Sequence, residues 1–203
     1  MKISVLIPTW SGTKELMEMA FKLAQSVRPQ CDELVISEDS KFFSQELFDI
    51  ADTYILHQNW GDMKNTVGGF RLTTGDYVAT IQSDVRIQKG HIRDLCIPGK
   101  VVSPVDINYH HQFCDPFFVV PREILNEKGY LVNSHGDYYG LIKDCYVQSD
   151  LVEIIHPQGG TTFSVKRKLQ EEKERSVIRK EIDPRRHKLR KQEDPVYAEL
   201  WKD

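Results

Sequence analysis

The chain has 203 residues, of which 40% are hydrophobic and 28% charged, a balance typical of a soluble globular protein rather than a disordered one. No apolar run approaches the ~18 residues that cross a bilayer, and the N-terminus lacks a signal peptide's apolar core, which favours a cytoplasmic protein. The four cysteines are widely scattered without a Cys-x-x-Cys pair, which excludes a zinc ribbon or a dense disulfide framework and predicts reduced thiols.

The net charge of -3 conceals a strong asymmetry along the chain. Residues 166–191 carry 12 Lys/Arg and 5 Asp/Glu, so the remaining residues are acidic. We therefore expect a domain at 1–165 and a basic helical extension at 166–203. The extension either packs as a solvated helix or contacts a polyanion, such as a membrane surface or a nucleic acid.

The first elements in chain order indicate a parallel sheet. Residues 3–7 form a short apolar run typical of a strand covered on both faces. Residues 13–27 repeat apolar side chains at three and four positions, which predicts a helix capped by Thr13 and stopped by Pro29. Residues 33–37 form a second buried run, so the chain opens β-α-β with a right-handed crossover.

The later elements continue the alternation. We predict strands at 54–57, 76–82, 101–105, 117–120 and 151–155, and helices at 66–73, 121–128 and 137–148, with Gly129 ending the second of these helices. The expected fold class is α/β, with a Rossmann-like, mostly parallel central sheet flanked by helices.

Polar residues follow four of the predicted strands. Ligands of an open parallel sheet bind beyond the carboxyl ends of its strands, where the strand order reverses. The residues in that position are Thr9-Trp10, Glu38-Asp39, Ser83-Asp84 and His156. Each of these segments taken alone is equally compatible with an ordinary polar turn. The expectation of a ligand site depends on all four together.

Four short motifs carry a family resemblance: Pro8-Thr9, Glu38-Asp39-Ser40, Gly75-Asp76-Tyr77 and Gln82-Ser83-Asp84. In these motifs and their order, residues 3–163 resemble the inverting glycosyltransferases with the GT-A fold, often called family 2. The block at 75–84 is the most specific. The compact size resembles members from bacteria and bacteriophages.

The resemblance implies a nucleoside-diphosphate-sugar donor and assigns residues to it. Asp39, with Glu38 beside it, would hold the nucleobase or ribose, since a carboxylate accepts hydrogen bonds from N–H and hydroxyl groups. Cationic side chains would offset the charge of the leaving diphosphate. The implied donor-binding set is Thr9, Glu38, Asp39, Lys64, Arg71 and Ser83.

The resemblance also implies a metal, Mn²⁺ or Mg²⁺. The family's Asp-x-Asp motif is Gln82-Ser83-Asp84 here, so one of its two carboxylates is missing. Asp84 keeps the position that contacts the ion, and His156 resembles the family's late histidine. An imidazole ligand suits Mn²⁺ better than Mg²⁺. The alternative for His156 is an ordinary strand-end histidine.

The family's general base is an Asp at the start of a helix, and Asp137 occupies that position, although Gly136 stands where the preceding Glu is expected. Asp137 would take the proton of the acceptor hydroxyl in a single inverting displacement. The alternative is a helix cap. The neighbouring histidines His110 and His111 point to opposite faces of an extended segment and do not suit one metal ion.

Several functions stay open from the sequence. The acceptor is a glycan, a lipid-linked sugar or a hydroxymethylated base in DNA, the last suited to the basic extension. Alternatively, the chain is a non-catalytic module that binds nucleotide or nucleic acid, which the departures at Gln82 and Gly136 favour. A nucleotidyltransferase is a weaker fourth reading, because the glycine-rich loop after the first strand is at most faint.

Overall fold

The computed structural model describes residues 1–40, 42–57, 62–108, 114, 116–129 and 142–156, with residues 62–64 described by their backbone alone. All of them belong to one compact unit, Met1–Gln158. The predicted extension at 166–203 lies outside the described residues, so the boundary at 165 stays a prediction. Among the described residues, no helix has both the length and the hydropathy needed to span a membrane.

Twelve helices and strands make up the described fold. The strands are β1 (Ile3–Thr9), β2 (Glu33–Glu38), β3 (Thr53–Leu56), β4 (Tyr77–Ile81), β5 (Arg86–Lys89), β6 (Val101–Asp106), β7 (Phe117–Pro121) and β8 (Tyr146–Ile155). The α-helices are α1 (Lys14–Val27), α2 (Gln45–Ile50), α3 (Asp62–Leu72) and α4 (Arg122–Glu127), with 3₁₀ turns after α1 and β5.

The strands form one sheet in the order β3-β2-β1-β4-β7-β6-β8-β5. Strand β1 pairs in parallel with β2 and β4, and β2 pairs in parallel with β3. Strand β7 is antiparallel to both β4 and β6, whereas β6 and β8 are parallel. The described sheet is therefore mostly parallel and flanked by helices, as the sequence predicts.

Strand β1 is buried on both faces. Its residues Ile3, Val5 and Ile7 belong to the same apolar cluster as Ala20 and Leu23 of α1. Its residue Leu6 instead joins a second cluster that contains Phe70 of α3 and Leu125 of α4. Because alternate strand residues point to opposite faces, a continuous apolar run is what a strand between two helical layers requires.

The predicted helix boundaries hold at the places where a cap is present. Thr13 precedes α1, and its hydroxyl accepts a hydrogen bond from the Leu16 N–H at 3.4 Å. Pro29 lies in the 3₁₀ turn that follows the helix. Gly129 follows α4 with a φ of 60°, a conformation that glycine adopts without strain.

Three parts of the described fold depart from the sequence-based prediction. The short elements α2 and β5 are not predicted, because α2 buries only Leu47 and β5 reads Arg-Ile-Gln-Lys. Neither element has an apolar repeat long enough to recognise. The helix expected at 137–148 is wrong over 146–148, which belong to β8.

Gly75 lies where the chain passes close to the start of β1. A Cβ atom at this residue would come within 2.6 Å of the Ser4 backbone nitrogen and 2.9 Å of the Lys2 carbonyl. The Gly75 N–H also donates to the Ser4 hydroxyl at 2.7 Å. The backbone of β1 cannot move without disturbing its two neighbouring strands.

We therefore expect Gly75→Ala to lower the free energy of unfolding by about 1–3 kcal/mol, the usual cost of overpacking a buried position. Urea unfolding followed by circular dichroism measures this. Leu72→Ala is the matched control, because Leu72 is 46% exposed and its loss should change stability by less than about 0.5 kcal/mol. Equal effects of the two substitutions would contradict the close approach.

Candidate active site

The strand order reverses beside β1. The chain moves outward from β1 to β2 and β3 on one side, and then returns to place β4 on the other side of β1. Such a switch point leaves a crevice beyond the carboxyl ends of the central strands, which is where open α/β sheets bind ligands. The candidate site is therefore built from the residues that follow β1, β2 and β4.

The acidic pair after β2 is buried and tied to the loop after β1. Glu38 is fully buried and Asp39 is 3% exposed. The Glu38 carboxylate accepts a hydrogen bond from the Ser11 N–H at 2.7 Å, and the Asp39 N–H donates to the Thr9 carbonyl at 2.9 Å. These two bonds hold the loop after β1 against the end of β2.

Glu38 has an unusual environment for a carboxyl group. Its Oε2 atom is buried and makes no hydrogen bond with any described residue. Burial raises the pKa of Glu38 above its ordinary value, hydrogen bonds from Ser11 and Ser40 oppose the shift, and the Asp39 carboxylate adds to it. The structure thus gives Glu38 a positioning contact to the backbone of Ser11.

Asn65 and His57 also belong to this site, although sequence analysis does not single them out. The Asn65 side-chain amide donates to the carbonyl of Ser37 at 2.8 Å and to that of Thr9 at 3.3 Å, and it accepts from the Ser37 hydroxyl at 2.6 Å. One buried side chain thus joins α3 to the ends of β1 and β2. A lone Asn in a predicted helix carries no sequence signal for such a role.

His57 follows β3, and its backbone N–H donates to the Glu38 backbone carbonyl at 2.7 Å. It is 8% exposed. Burial lowers the pKa of His57, and the Asp39 carboxylate opposes that shift. The imidazole therefore lies in the electrostatic field of Asp39, and the end of β3 joins the ends of β1 and β2 at the site.

Asp84 and His156 come together at the other side of the crevice. A tight turn after β4, closed by the Val85 N–H donating to the Gln82 carbonyl at 3.0 Å, presents Ser83 and Asp84. His156 directly follows β8. Its Nε2 lies 3.4 Å from Asp84 Oδ1, with both side chains largely buried. The two residues predicted as metal ligands are thus neighbours in the fold.

This pair fits one divalent cation as a partial ligand set. A carboxylate oxygen and an imidazole nitrogen 3.4 Å apart are able to contact the same ion. The part of the chain that the structure describes holds no group of three or more His, Cys, Asp or Glu side chains for a metal. Further ligands would have to come from phosphate oxygens and water, as is common for Mg²⁺ sites.

Of the remaining predicted donor-binding residues, Thr9 and Ser83 lie at the site. Thr9 ends β1 and is buried, and its hydroxyl lies 3.5 Å from that of Ser11. Ser83 lies in the turn beside Asp84. Lys64 lies in α3 immediately before Asn65, with its side chain outside the described residues.

Arg71 is not brought to this edge of the sheet. It occupies the last turn of α3, where its side chain is exposed. The residues just beyond it, Thr74 and Gly75, donate their N–H groups to Glu33 and Ser4 at the starts of β2 and β1. Arg71 therefore lies toward the amino edge, at the opposite end of α3 from Asn65.

Asp137 and Gly136 lie outside the described residues, as do His110 and His111. None of the four cysteines, all of which the structure describes, forms a disulfide, and Cys114 is buried. Burial raises the pKa of Cys96 to about 11, which leaves that thiol protonated at neutral pH and unsuited to nucleophilic chemistry.

The buried carboxyl of Glu38 predicts a specific pH dependence of stability. The pKa of Glu38 is raised in the folded chain above the unfolded value of about 4.3. Between these two values the folded chain binds more protons, so its free energy of unfolding falls as pH rises through that window. We expect wild type to lose stability relative to Glu38→Gln as pH rises from about 4.

Urea unfolding of both proteins between pH 4 and pH 8 measures this difference. Replacing the exposed Glu46 with Gln controls for the loss of one carboxyl group. A difference between wild type and Glu38→Gln that stays constant with pH would show that Glu38 titrates alike in the folded and unfolded chains.

Among known proteins, only solved structures resemble this chain detectably. No protein-family model matches the chain, and no curated protein matches it. Solved structures do match. Glucosyl-3-phosphoglycerate synthase from Mycobacterium tuberculosis, in complex with Mn²⁺, UDP and glucosyl-3-phosphoglycerate, is 17% identical with a TM-score of 0.56, and the match covers 77% of this chain and 72% of that chain.

TarS from S. aureus is a second structural neighbour. It is 14% identical with a TM-score of 0.54, and the match covers 98% of this chain and 43% of that chain. A TarS structure of residues 1–349 matches with a TM-score of 0.55. These neighbours are GT-A-type glycosyltransferases, and they confirm the expected fold: the chain has the GT-A fold.

Proposed function

We propose that this chain is a glycosyltransferase that uses a nucleoside-diphosphate sugar and a divalent cation, Mn²⁺ or Mg²⁺. The observation that carries the proposal is the presence of two polar groups at the carboxyl ends of strands in a GT-A sheet. One is the buried acidic pair that ends β2, and the other is the Asp84–His156 pair. The structural neighbour solved with Mn²⁺ and UDP supports the same class of ligands.

The acidic pair would bind the nucleoside end of the donor. Asp39 accepts hydrogen bonds from a pyrimidine N–H or a ribose hydroxyl. Glu38 acts as a positioning residue, because its contact to Ser11 holds the loop after β1 in place. Thr9 lines the same pocket, and Asn65 fixes the strand ends beneath it.

The other side of the crevice would bind the diphosphate. Asp84 and His156 hold the cation, with Ser83 beside them. When bound, the cation offsets the negative charge that develops on the leaving diphosphate. Lys64, next to Asn65 at the start of α3, is the proposed cationic side chain on the diphosphate. Arg71 is left out of this set, because it lies toward the opposite edge of the sheet.

Asp137 is the proposed general base. The acceptor hydroxyl oxygen bonds to the anomeric carbon as the bond from that carbon to the phosphate oxygen breaks. The hydroxyl proton passes to the Asp137 carboxylate, and the nucleoside diphosphate leaves with the bonding electrons. A single displacement of this kind inverts the configuration at the anomeric carbon.

Ligand-induced thermal stabilisation tests the donor and the metal together. Wild type is melted with UDP, GDP and their sugars, each with and without Mn²⁺. A ligand at 100 times its Kd stabilises the folded state by ~2.7 kcal/mol, which gives a clear shift in Tm. We expect one nucleotide to shift Tm mainly when Mn²⁺ is present, and Asp84→Ala to abolish the metal-dependent part.

Asp150→Ala is the matched control, because Asp150 is exposed on β8 and away from the crevice. A nucleotide shift that is equal with and without Mn²⁺, or equal in Asp84→Ala and wild type, would overturn the metal assignment. No shift with any nucleotide, but a shift with duplex DNA, would favour a binding module instead.

The rate of sugar transfer tests the assignment of Asp137 as the general base. We expect Asp137→Asn to reduce sugar transfer by about 10²–10⁴-fold, the usual contribution of a general base, while nucleotide binding is retained. Release of the nucleoside diphosphate in the presence of acceptor measures the rate. Asp144→Asn, an exposed carboxylate that precedes β8, controls for the loss of charge. Unchanged turnover in Asp137→Asn would assign the base elsewhere.

A further inference from the structure

A cavity lies between helix α1 and the turn that follows β4. Its volume is about 350 Å³, within the range of small-molecule binding sites. Helix α1 contributes Lys22, Leu23 and Ser26 to its wall, and the turn contributes Ser83, Asp84 and Arg86. Asp84 is also the residue that meets His156, so the cavity adjoins the proposed metal site.

The cavity wall carries two cations, Lys22 and Arg86. Within the residues that the structure describes, neither Lys22 nor Arg86 forms an ion pair, and both side chains are exposed. Five other described cations lie within 4 Å of a carboxylate, namely Lys2, Lys14, Arg28, Lys89 and Lys128. Unmatched positive charge beside a cavity favours an anionic ligand.

The rest of the wall suits a ligand that also carries hydroxyl groups. The Ser83 hydroxyl makes no hydrogen bond with a described residue, so it is able to donate one to a ligand. The Ser26 hydroxyl donates to the Leu23 carbonyl at 2.8 Å and keeps its lone pairs for accepting. Leu23, which is 4% exposed, provides an apolar surface for a short carbon chain.

We propose that this cavity binds the acceptor of the sugar transfer, and that the acceptor is a small hydroxylated molecule with a phosphate or carboxylate group. The anionic group pairs with Lys22 and Arg86, and a hydroxyl points toward Asp84, where the donor's anomeric carbon would lie. The acceptor role rests on the proposed function. The anion site itself rests only on the cavity and its two cations.

The volume argues for a small molecule over a polymer. A cavity of about 350 Å³ has room for a short phosphorylated or carboxylated chain, whereas a duplex is too wide to enter it. The Asp84 carboxylate in the same wall would repel an anionic group, so the proposed pose places that group on Lys22 and Arg86 and a hydroxyl toward Asp84.

Isothermal titration with a matched pair of probes tests the site. Glycerol 3-phosphate and glycerol differ only in the phosphate, and inorganic phosphate tests the anion alone. We expect glycerol 3-phosphate to bind and glycerol not to bind detectably. The double variant Lys22→Ala/Arg86→Ala should weaken glycerol 3-phosphate by about tenfold or more, because two charge-assisted contacts are lost.

The matched control is Arg93→Ala/Lys100→Ala, which removes the same two charges from exposed positions outside the cavity wall. It should bind glycerol 3-phosphate within about twofold of wild type, since distant exposed charges are screened by salt. Equal losses in the two double variants would show a general charge effect and overturn the site.

Donor binding separates a wrong acceptor cavity from a wrong proposed function. Donor binding is measured in the same proteins with UDP and Mn²⁺, and we expect the Lys22/Arg86 variant to keep it. If UDP binds but glycerol 3-phosphate and inorganic phosphate do not, the acceptor cavity is wrong and the transferase proposal stands. If both phosphates bind through Lys22 and Arg86 but no nucleotide binds, the anion site stands without its acceptor role.

Discussion

The burial of β1 on both faces is the constraint on which the rest of this structure depends. A strand with α1 on one side and α3 on the other has no polar face, so it must lie inside the sheet with a partner strand at each edge. Its two partners, β2 and β4, are reached by crossovers in opposite directions. The switch point, and with it the crevice at the carboxyl edge, lies where these two crossovers diverge.

The carboxyl edge is held by buried polar contacts rather than by apolar packing. Asn65 and Glu38 each satisfy backbone groups of neighbouring loops, and both are almost fully removed from water. Buried polar groups are costly unless they are paired, but paired groups fix direction and distance more sharply than apolar contacts do. An edge built in this way presents Asp39 on a rigid support, which lowers the ordering cost of binding a ligand.

The sequence allows much of the fold and part of the site to be predicted. Long apolar repeats identify β1 and α1, and the polar residues after strands lead to Glu38, Asp39, Asp84 and His156. What such patterns cannot supply is the direction in which a helix runs relative to the sheet. Lys64 and Arg71 are equivalent as cations in the sequence, yet one lies beside Asn65 and the other lies at the far end of the same helix.

Sequence patterns also fail to identify residues that act through tertiary contacts. Nothing in the sequence distinguishes Asn65 and His57, because their contacts exist only when β1, β2 and β3 have come together in the sheet. The polar strand β5 is likewise recognisable only by its pairing with β8. The intrinsic conformational preference of these residues is weak, so the surrounding structure determines the conformation that they adopt.

The path of β8 has a consequence for the order in which the protein is made. Its first residues pair with β6, and its last residues lie between β6 and β5, which brings His156 to Asp84. Asp84, one residue of the proposed metal site, thus occurs early in the chain. His156, the other residue, follows the last described strand. A nascent chain that has not yet added β8 would carry Asp84 without its neighbour. Under the proposed function, cation binding by both residues would therefore require that β8 has already joined the sheet.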